Sequence, residues 1–233
     1  LTFRSAAAGY ADLTGLPATA NLGGFKSGCT SNLIAADGVL SAPDYTRTCT
    51  CSYQNQSSLA MVYMPDAEQW KFLSAGKPGP VARLCVNFGA PGDRDAGSSY
   101  WLEWPVVGGP SPAMKLTMKG GRTYCHHSGL FSGEQPAFVG ASGIVGATEV
   151  TAVLDPAESP PARKFTVRLV FAEPDAAMAP GGRVFDVAIQ GRRVLEGFDV
   201  LKAAGAPRRV IVREFKGVAA AGSLTIDLKA VRG

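Results

Sequence analysis

The densest group of ligand-type side chains is the segment Tyr100-Trp101-Leu102-Glu103-Trp104. On a β-strand, Tyr100, Leu102 and Trp104 would share one face, and Trp101 and Glu103 would share the other. Because Leu102 is apolar, we expect Tyr100 and Trp104 in the core and Trp101 exposed. An exposed indole next to a polar loop is a candidate stacking platform for a ligand.

A charged turn, Asp93-Arg94-Asp95, lies in a loop rich in glycine and proline just before that segment. Its carboxylates and guanidinium are suited to recognising ligand hydroxyls, and the carboxylates could also hold calcium. The alternative is a solvated turn with an internal ion pair, because charged residues are ordinary in such loops.

Both histidines of the chain lie in Tyr124-Cys125-His126-His127. Adjacent residues of a strand point apart, so we predict that the histidines do not share a metal ion, and we predict no metal site. We consider Tyr124, His126, His127 and the nearby Phe131 as candidate ligand contacts. A structural or surface role for the histidines is the alternative.

Five cysteines are present: Cys29, Cys49, Cys51, Cys85 and Cys125. An odd number leaves at least one thiol unpaired within the chain. Cys49 and Cys51 would lie on one face of a strand, where either could bond to Cys29. Cys85 and Cys125 are a further candidate pair because both fall in predicted strands. A structural disulfide of an exported protein is the favoured interpretation, and a redox or metal thiol pair is the alternative.

Two carboxylates, Glu173 and Asp175, flank Pro174, and paired carboxylates are typical of glycosidases. Asp186 and Asp199 follow apolar residues, so we expect them to cap turns or hold loops by hydrogen bonds. The sequence contains no GxSxG motif and no cysteine–histidine dyad with a supporting acid. We therefore expect no catalytic residues and no cofactor, with any activity elsewhere in a larger parent protein.

The composition is that of a folded chain with many turns. Hydrophobic residues make up 46% and charged residues 18%, and 28 glycines and 16 prolines separate short apolar runs. The net charge of +4 is scattered, without the basic stripe that nucleic-acid binding needs. No apolar run is long enough for a transmembrane helix, so we expect no membrane insertion. Since Leu1 is not an initiator methionine, we expect a piece of a longer protein.

Residues 1–75 form a β-hairpin-rich segment by pattern, followed by a linker at 76–80. Two apolar runs flank Asp37-Gly38, which is a strong tight-turn signal, and Ser57–Met64 is a further strand candidate.

From residue 81 to 233, strand patterns follow one another with little helix between them. Lys164–Phe171 alternates, with Phe165, Val167, Leu169 and Phe171 on one face. Further strands are predicted at Val81–Phe88, Ser99–Trp104, Lys115–Met118, Gly143–Leu154, Arg183–Ile189, Val194–Leu201, Arg209–Phe215 and Ser223–Leu228. This succession predicts an all-β chain with an antiparallel β-sandwich.

The C-terminal part resembles the malectin family. The resemblance is carried by Phe171-Ala-Glu-Pro174, Gly182-Arg-Val-Phe-Asp-Val187, Gln190-Gly191, Phe198-Asp199-Val200 and Glu214-Phe215. Asn87-Phe-Gly89 resembles the opening of the same domain. The resemblance implies a jelly-roll, galactose-binding-like sandwich at 81–233 that holds a glycan through loop aromatics and an acidic residue. The implied partner is a polysaccharide or glycan.

The N-terminal part, with Asn32-Leu-Ile-Ala-Ala-Asp37-Gly38-Val-Leu-Ser-Ala, resembles a blade of a pyrroloquinoline-quinone-type β-propeller. The two parts together are similar to the C-terminal end of large exported proteins of planctomycete-type bacteria. That architecture implies a periplasmic, cell-surface or secreted location. It also leaves two alternatives to glycan binding: a scaffold domain docking on its own β-propeller, and a metal or redox protein using cysteine and histidine.

Overall fold

The computed structural model describes residues 1–5, 7–15, 18–23, 25, 28, 33–43, 58–64, 67–71, 79–106, 115–134 and 136–232. The chain divides into two compact units, Leu1–Ala67 and Glu68–Gly233. The second unit thus begins before the predicted linker, and residues 76–78 of that linker lie outside the described residues.

The first unit contains two small antiparallel sheets, each of three described strands. The strands are β1 (Thr2–Ser5), β2 (Ala7–Ala11), β3 (Thr19–Asn21), β4 (Ile34–Ala36), β5 (Val39–Ala42) and β6 (Leu59–Val62). The predicted turn at Asp37-Gly38 is confirmed, since these residues join β4 to β5 with φ of 52° and 75°. Two successive positive φ angles are what a two-residue hairpin loop requires, and glycine adopts them at little cost.

The second unit is built almost entirely from strands. Its strands are β7 (Cys85–Phe88), β8 (Arg94–Ala96), β9 (Ser99–Trp104), β10 (Leu116–Cys125), β11 (Ser132–Gly133), β12 (Ser142–Val153), β13 (Arg163–Phe171), β14 (Val184–Ile189), β15 (Arg192–Asp199), β16 (Arg209–Ala220) and β17 (Ser223–Arg232). Two short helices, α1 (Ala137–Ala141) and α2 (Val200–Ala204), and one 3₁₀ turn (Ser128–Leu130) interrupt them. The predicted all-β character is confirmed.

The described strands of the second unit form three sheets. The largest has the order β10-β12-β17-β14-β15 and is antiparallel throughout. The others have the orders β11-β16-β13 and β7-β9-β8. Of their pairings, β13–β16 and β8–β9 are antiparallel, whereas β11–β16 and β7–β9 are parallel.

Aromatic contacts show that the five-stranded sheet packs against the sheet containing β13. The Phe171 ring on β13 lies 6.0 Å from that of Phe185 on β14 and 5.0 Å from that of Phe198 on β15. At the other end, Phe165 on β13 packs with Ala152 and Leu224 of the five-stranded sheet. Two sheets packed face to face are the predicted antiparallel sandwich.

The two aspartates expected to hold turns do so. Asp199 caps α2 by accepting a hydrogen bond from the Lys202 N–H at 3.0 Å, and the helix ends at Gly205 with φ of 79°. Asp186 accepts from the Gly197 N–H at 2.7 Å. Among the described residues, no helix has the length and apolar character needed to cross a membrane.

Candidate functional site

A partly buried carboxylate, Glu68, joins three segments of the second unit. Its Oε1 accepts a hydrogen bond from the Ser128 N–H at 2.7 Å and lies 3.5 Å from Nη1 of Arg94. Burial opposes ionisation of Glu68, but the hydrogen bonds from Ser128 and the charges of His127 and Arg94 hold its pKa below the ordinary value. Glu68 is therefore a fixed negative charge between the Asp93–Asp95 and His127–Leu130 segments.

Around Arg94 lies an aromatic cluster made of Trp70, Arg94, Trp101 and Phe138. The Arg94 guanidinium stands over the Phe138 ring at 4.5 Å and over the Trp70 ring at 5.3 Å. Both indoles meet the Phe138 ring edge to face with centroids 6.4 Å apart. The cation–π contacts and the ion pair to Glu68 hold the guanidinium in one position.

The expected exposure of Trp101 is wrong, because its face of β9 turns inward. Glu103, on the same face, is 0% exposed, and Trp101 is half-buried against Phe138. Tyr100 and Trp104 are also half-buried, so neither face of β9 is simply core or surface. The buried Nε1 of Trp101 has no hydrogen-bond partner among the described residues.

The Asp93-Arg94-Asp95 segment is not a solvated turn throughout. Asp93 is 0% exposed, and its Oδ1 accepts a hydrogen bond from the Glu103 N–H at 2.9 Å. Asp95 is exposed and pairs with Nζ of Lys71 at 2.9 Å, which lowers its pKa. Asp93 is therefore placed to join β9 to its neighbouring loop, while Asp95 and Arg94 carry the charge at the surface.

Tyr124, His126 and Phe131 form a row of rings beside the aromatic cluster. The Tyr124 and His126 rings are 5.8 Å apart, and the His126 and Phe131 rings 6.1 Å. Tyr124 donates to the Gly140 carbonyl at 3.1 Å, and burial followed by the Glu173 carboxylate raises its pKa above the ordinary value. Phe131 is buried, so it supports the row from below.

His127 is exposed and caps the 3₁₀ turn, since its Nδ1 accepts from the Gly129 N–H at 3.0 Å. It borders the half-exposed surface of the row. Of the predicted ligand contacts, His127 and Asp95 are therefore exposed, Arg94, Trp101, Tyr124 and His126 are half-buried, and Asp93 and Phe131 are buried.

The proposed bond between Cys85 and Cys125 is wrong, because both are free thiols. Cys85 is paired with Trp101 between β7 and β9, and Cys125 is paired with Ser142 between β10 and β12. Neither cysteine is therefore the pairing partner of the other. The other candidates, Cys29, Cys49 and Cys51, lie outside the described residues. Within the described part of the chain, no three histidine, cysteine, aspartate or glutamate side chains are grouped to hold a metal.

The two carboxylates that suggested a glycosidase hold the structure of their own loop. Glu173 is 1% exposed, with Oε2 at 2.6 Å from Nη1 of Arg183 and Oε1 accepting from the Asp175 N–H at 3.0 Å. Asp175 accepts from the Ala177 N–H at 2.9 Å. Both oxygens of Glu173 are thus engaged.

The sequence patterns did not identify three residues of the candidate site: Glu68, Trp70 and Phe138. The first two precede the predicted linker and were assigned to the N-terminal segment, whereas α1, which carries Phe138, has no polar motif. Of these three residues, only Trp70 could have been noticed in the sequence, because it is a tryptophan near charged residues.

Comparison with protein families gives a match to the malectin domain over residues 160–233. These residues comprise β13 to β17. The aromatic cluster lies on segments that precede the matched residues. No curated protein sequence matches this chain.

Solved structures with a similar course of the chain include a Bacteroides uniformis β-glucuronidase and the extracellular domain of ANXUR1 from Arabidopsis thaliana. The glucuronidase is 15% identical with a TM-score of 0.49, over 84% of this chain and 21% of that one. ANXUR1 is 15% identical with a TM-score of 0.41, over 74% of this chain and 51% of that one. This chain thus spans a minor part of the first protein and about half of the second.

Proposed function

We propose that this chain is a non-catalytic carbohydrate-binding module of an exported protein. Its glycan contact surface is the aromatic cluster with the adjoining His126–Leu130 segment. The observation that carries the proposal is the Trp70–Arg94–Phe138–Trp101 arrangement, in which half-buried indoles stand beside fixed charges.

The chemistry of this surface suits a sugar ring. Apolar C–H faces of a sugar stack on aromatic rings, while its hydroxyls need donors and acceptors. Trp70 and Trp101 supply ring surface, and the guanidinium of Arg94 supplies donors. The malectin match of residues 160–233 supports the same class of ligand.

The module has no catalytic role in this proposal. Both oxygens of the Glu173 carboxylate are engaged, one by Arg183 and one by the Asp175 N–H. A catalytic carboxyl of a glycosidase instead has to reach the scissile glycosidic bond. Incubation with polysaccharides and chromogenic glycosides is expected to release no reducing sugar, and turnover abolished by Glu173→Gln would overturn this point.

The central experiment is a polysaccharide and glycan-array screen of the full chain, followed by calorimetric titration of the best ligand. We expect saturable binding of at least one glycan. The folded protein binding none of the glycans would overturn the proposal.

A second candidate, docking of the first unit on further β-propeller blades of its own parent chain, rests on an uncovered apolar face. Ile34, Val39 and Val62 lie on one face of the β4-β5-β6 sheet, and Ile34 and Val62 are 53% and 60% exposed. Tyr63 and Met64 extend this exposed apolar surface. A few contiguous apolar residues of this kind are typical of an interaction surface.

Co-purification with separately expressed blades of the parent protein tests this second candidate. Val62→Lys is expected to abolish association. The matched control is Val231→Lys in the second unit, where the side chain is 59% exposed, and association should persist. Blades that do not associate with the wild-type chain would contradict this candidate.

A further inference from the structure

The inner space of the sandwich is not filled continuously by side chains. Among the described residues, the buried apolar side chains form three separate clusters, centred on Phe198, Val210 and Leu154. A domain of this size ordinarily has one contiguous core. A cavity of about 450 Å³ borders the Phe198 and Val210 clusters.

Residues of β12, β13 and β17 line this cavity. Gly143, Gly146 and Ala147 are among its β12 residues, and the Tyr124 side chain fills the space beside Gly143, where an added Cβ would lie 2.7–2.9 Å from it. Leu169 and Phe171, which the alternation of β13 assigns to the core, are half-buried because they border the cavity.

The cavity extends along β17. Ile226, Leu228, Ala230 and Arg232 line it, and alternate residues of a strand lie on one face. Six residue rises along a strand span about 20 Å. An extended aliphatic chain can lie along this length.

Apolar side chains line the cavity around Ile226, and charged side chains line it around Arg232; Arg168 also borders it, with its guanidinium paired to Glu214 at 2.6 Å. Val150 is paired with Ile226 at the apolar end. At the other end Arg232 is paired with Val184, next to Arg183. Glu173 compensates one of these two guanidinium groups, with a distance of 2.6 Å to Arg183. The charged end is therefore suited to an anion.

We propose that this cavity binds a single-chain amphiphile with an aliphatic body and an anionic end group. The chain lies along the inner face of β17, and the anionic group meets Arg232 and Arg183. The volume and the mainly apolar walls are those of a small-molecule site. Since β13 is an edge strand among the described strands and lines the cavity, a ligand has a route in beside it.

The test is calorimetric titration of the full chain with decanoate, decanol and decyltrimethylammonium, each below its micelle-forming concentration. We expect decanoate to bind at least about tenfold more tightly than the uncharged and cationic probes, because only it pairs with the guanidinium groups. No binding of any probe would overturn the proposal, and equal affinity for all three would overturn the assignment of the anionic end.

Two variants separate the ends of the cavity. Arg232→Gln is expected to lower decanoate affinity to that of decanol while leaving decanol binding unchanged. Leu169→Trp fills the apolar part of the cavity and should weaken the binding of all three probes. If Leu169→Trp does not fold, Ala230→Leu, at the exposed end of β17, replaces it as the cavity-filling variant. Unchanged decanoate affinity in Arg232→Gln, or in a folded cavity-filling variant, would contradict the proposal.

This inference does not rest on carbohydrate binding, although Trp101 and Tyr124 border both sites. Trp70 does not line the cavity. Trp70→Ala should therefore leave decanoate affinity unchanged, and Leu169→Trp should leave glycan affinity unchanged. Each proposal can thus fail without the other.

Discussion

The carboxylate of Asp93 accepts a hydrogen bond from the backbone N–H of Glu103 at 2.9 Å, and both residues are 0% exposed. The bond joins the residue just before β8 to the penultimate residue of β9. Asp93, whose residue type and loop position predict a ligand contact, is therefore placed to hold the strand that carries Trp101.

Removal of this carboxylate should destabilise the second unit. Asp93→Ala leaves the Glu103 N–H without that acceptor in a buried setting, which costs about 1–3 kcal/mol of unfolding free energy. Urea denaturation followed by tryptophan fluorescence measures the loss. Asp95→Ala is the matched control: its side chain is 56% exposed, and the midpoint should not move. Equal midpoints for Asp93→Ala and wild type would contradict the structural role.

Glycan binding should depend on Trp70 more than on aromatic residues of the opposite β9 face. Trp70→Ala removes ring surface from the aromatic cluster, and we expect the Kd for the best glycan to rise about tenfold. The control is Trp104→Phe, since Trp104 packs on Phe88 away from the cluster. Calorimetric titration measures the glycan Kd of both variants. A larger loss of affinity in Trp104→Phe than in Trp70→Ala would place the glycan outside the aromatic cluster.

Alkaline pH should destabilise the sandwich through Tyr124. Burial, with the Glu173 carboxylate as the next cause, raises the pKa of the folded Tyr124, so the unfolded chain releases this proton first. The stability that the neutral phenol contributes is complete below the unfolded pKa of about 10 and is lost as the pH rises above it.

Unfolding free energies measured from neutral pH to about pH 11 test this effect of Tyr124. Tyr124→Phe should flatten the alkaline decline without abolishing it, because burial also raises the pKa of Tyr100. An unchanged slope in Tyr124→Phe would show that Tyr124 ionises in the folded protein as it does in the unfolded chain.

The thiol of Cys125 should react slowly despite its exposure. Partial burial of the sulfur and the nearby Glu68 carboxylate raise the pKa of Cys125, so its thiolate fraction at neutral pH is below that of an ordinary cysteine. The reaction with Ellman's reagent measures this rate, and the kinetic phase that is missing in Cys125→Ser is the one due to Cys125. Its rate should be below that of free cysteine. Glu68→Gln should raise this rate, and a fall would contradict the assigned cause.

The elements most readily predicted were those specified by local chemistry. The alternation of β13 and the turn at Asp37-Gly38 each depend on neighbouring residues alone, and both are confirmed. Residue type was a poor guide to burial in β9, where Glu103 is inside and Trp104 only half-buried. A polar side chain can be buried wherever another segment satisfies its hydrogen bonds, and that segment is remote in sequence.

The candidate site shows the same division. Arg94, Trp101 and Tyr124 could be selected from residue type and loop position, and they lie in or beside the aromatic cluster. Glu68 and Phe138 could not be selected, because their roles come from Arg94 and Ser128, which are distant in the chain.

The sequence by itself determined the strand content, the turns and the all-β class, because these follow from short-range alternation and from glycine conformations. Only the tertiary structure decided which side chains surround Arg94, that Cys85 and Cys125 remain thiols, and that a cavity lies along β12, β13 and β17. These features depend on which strands become neighbours, and that choice is made by packing of whole sheets rather than by any local pattern.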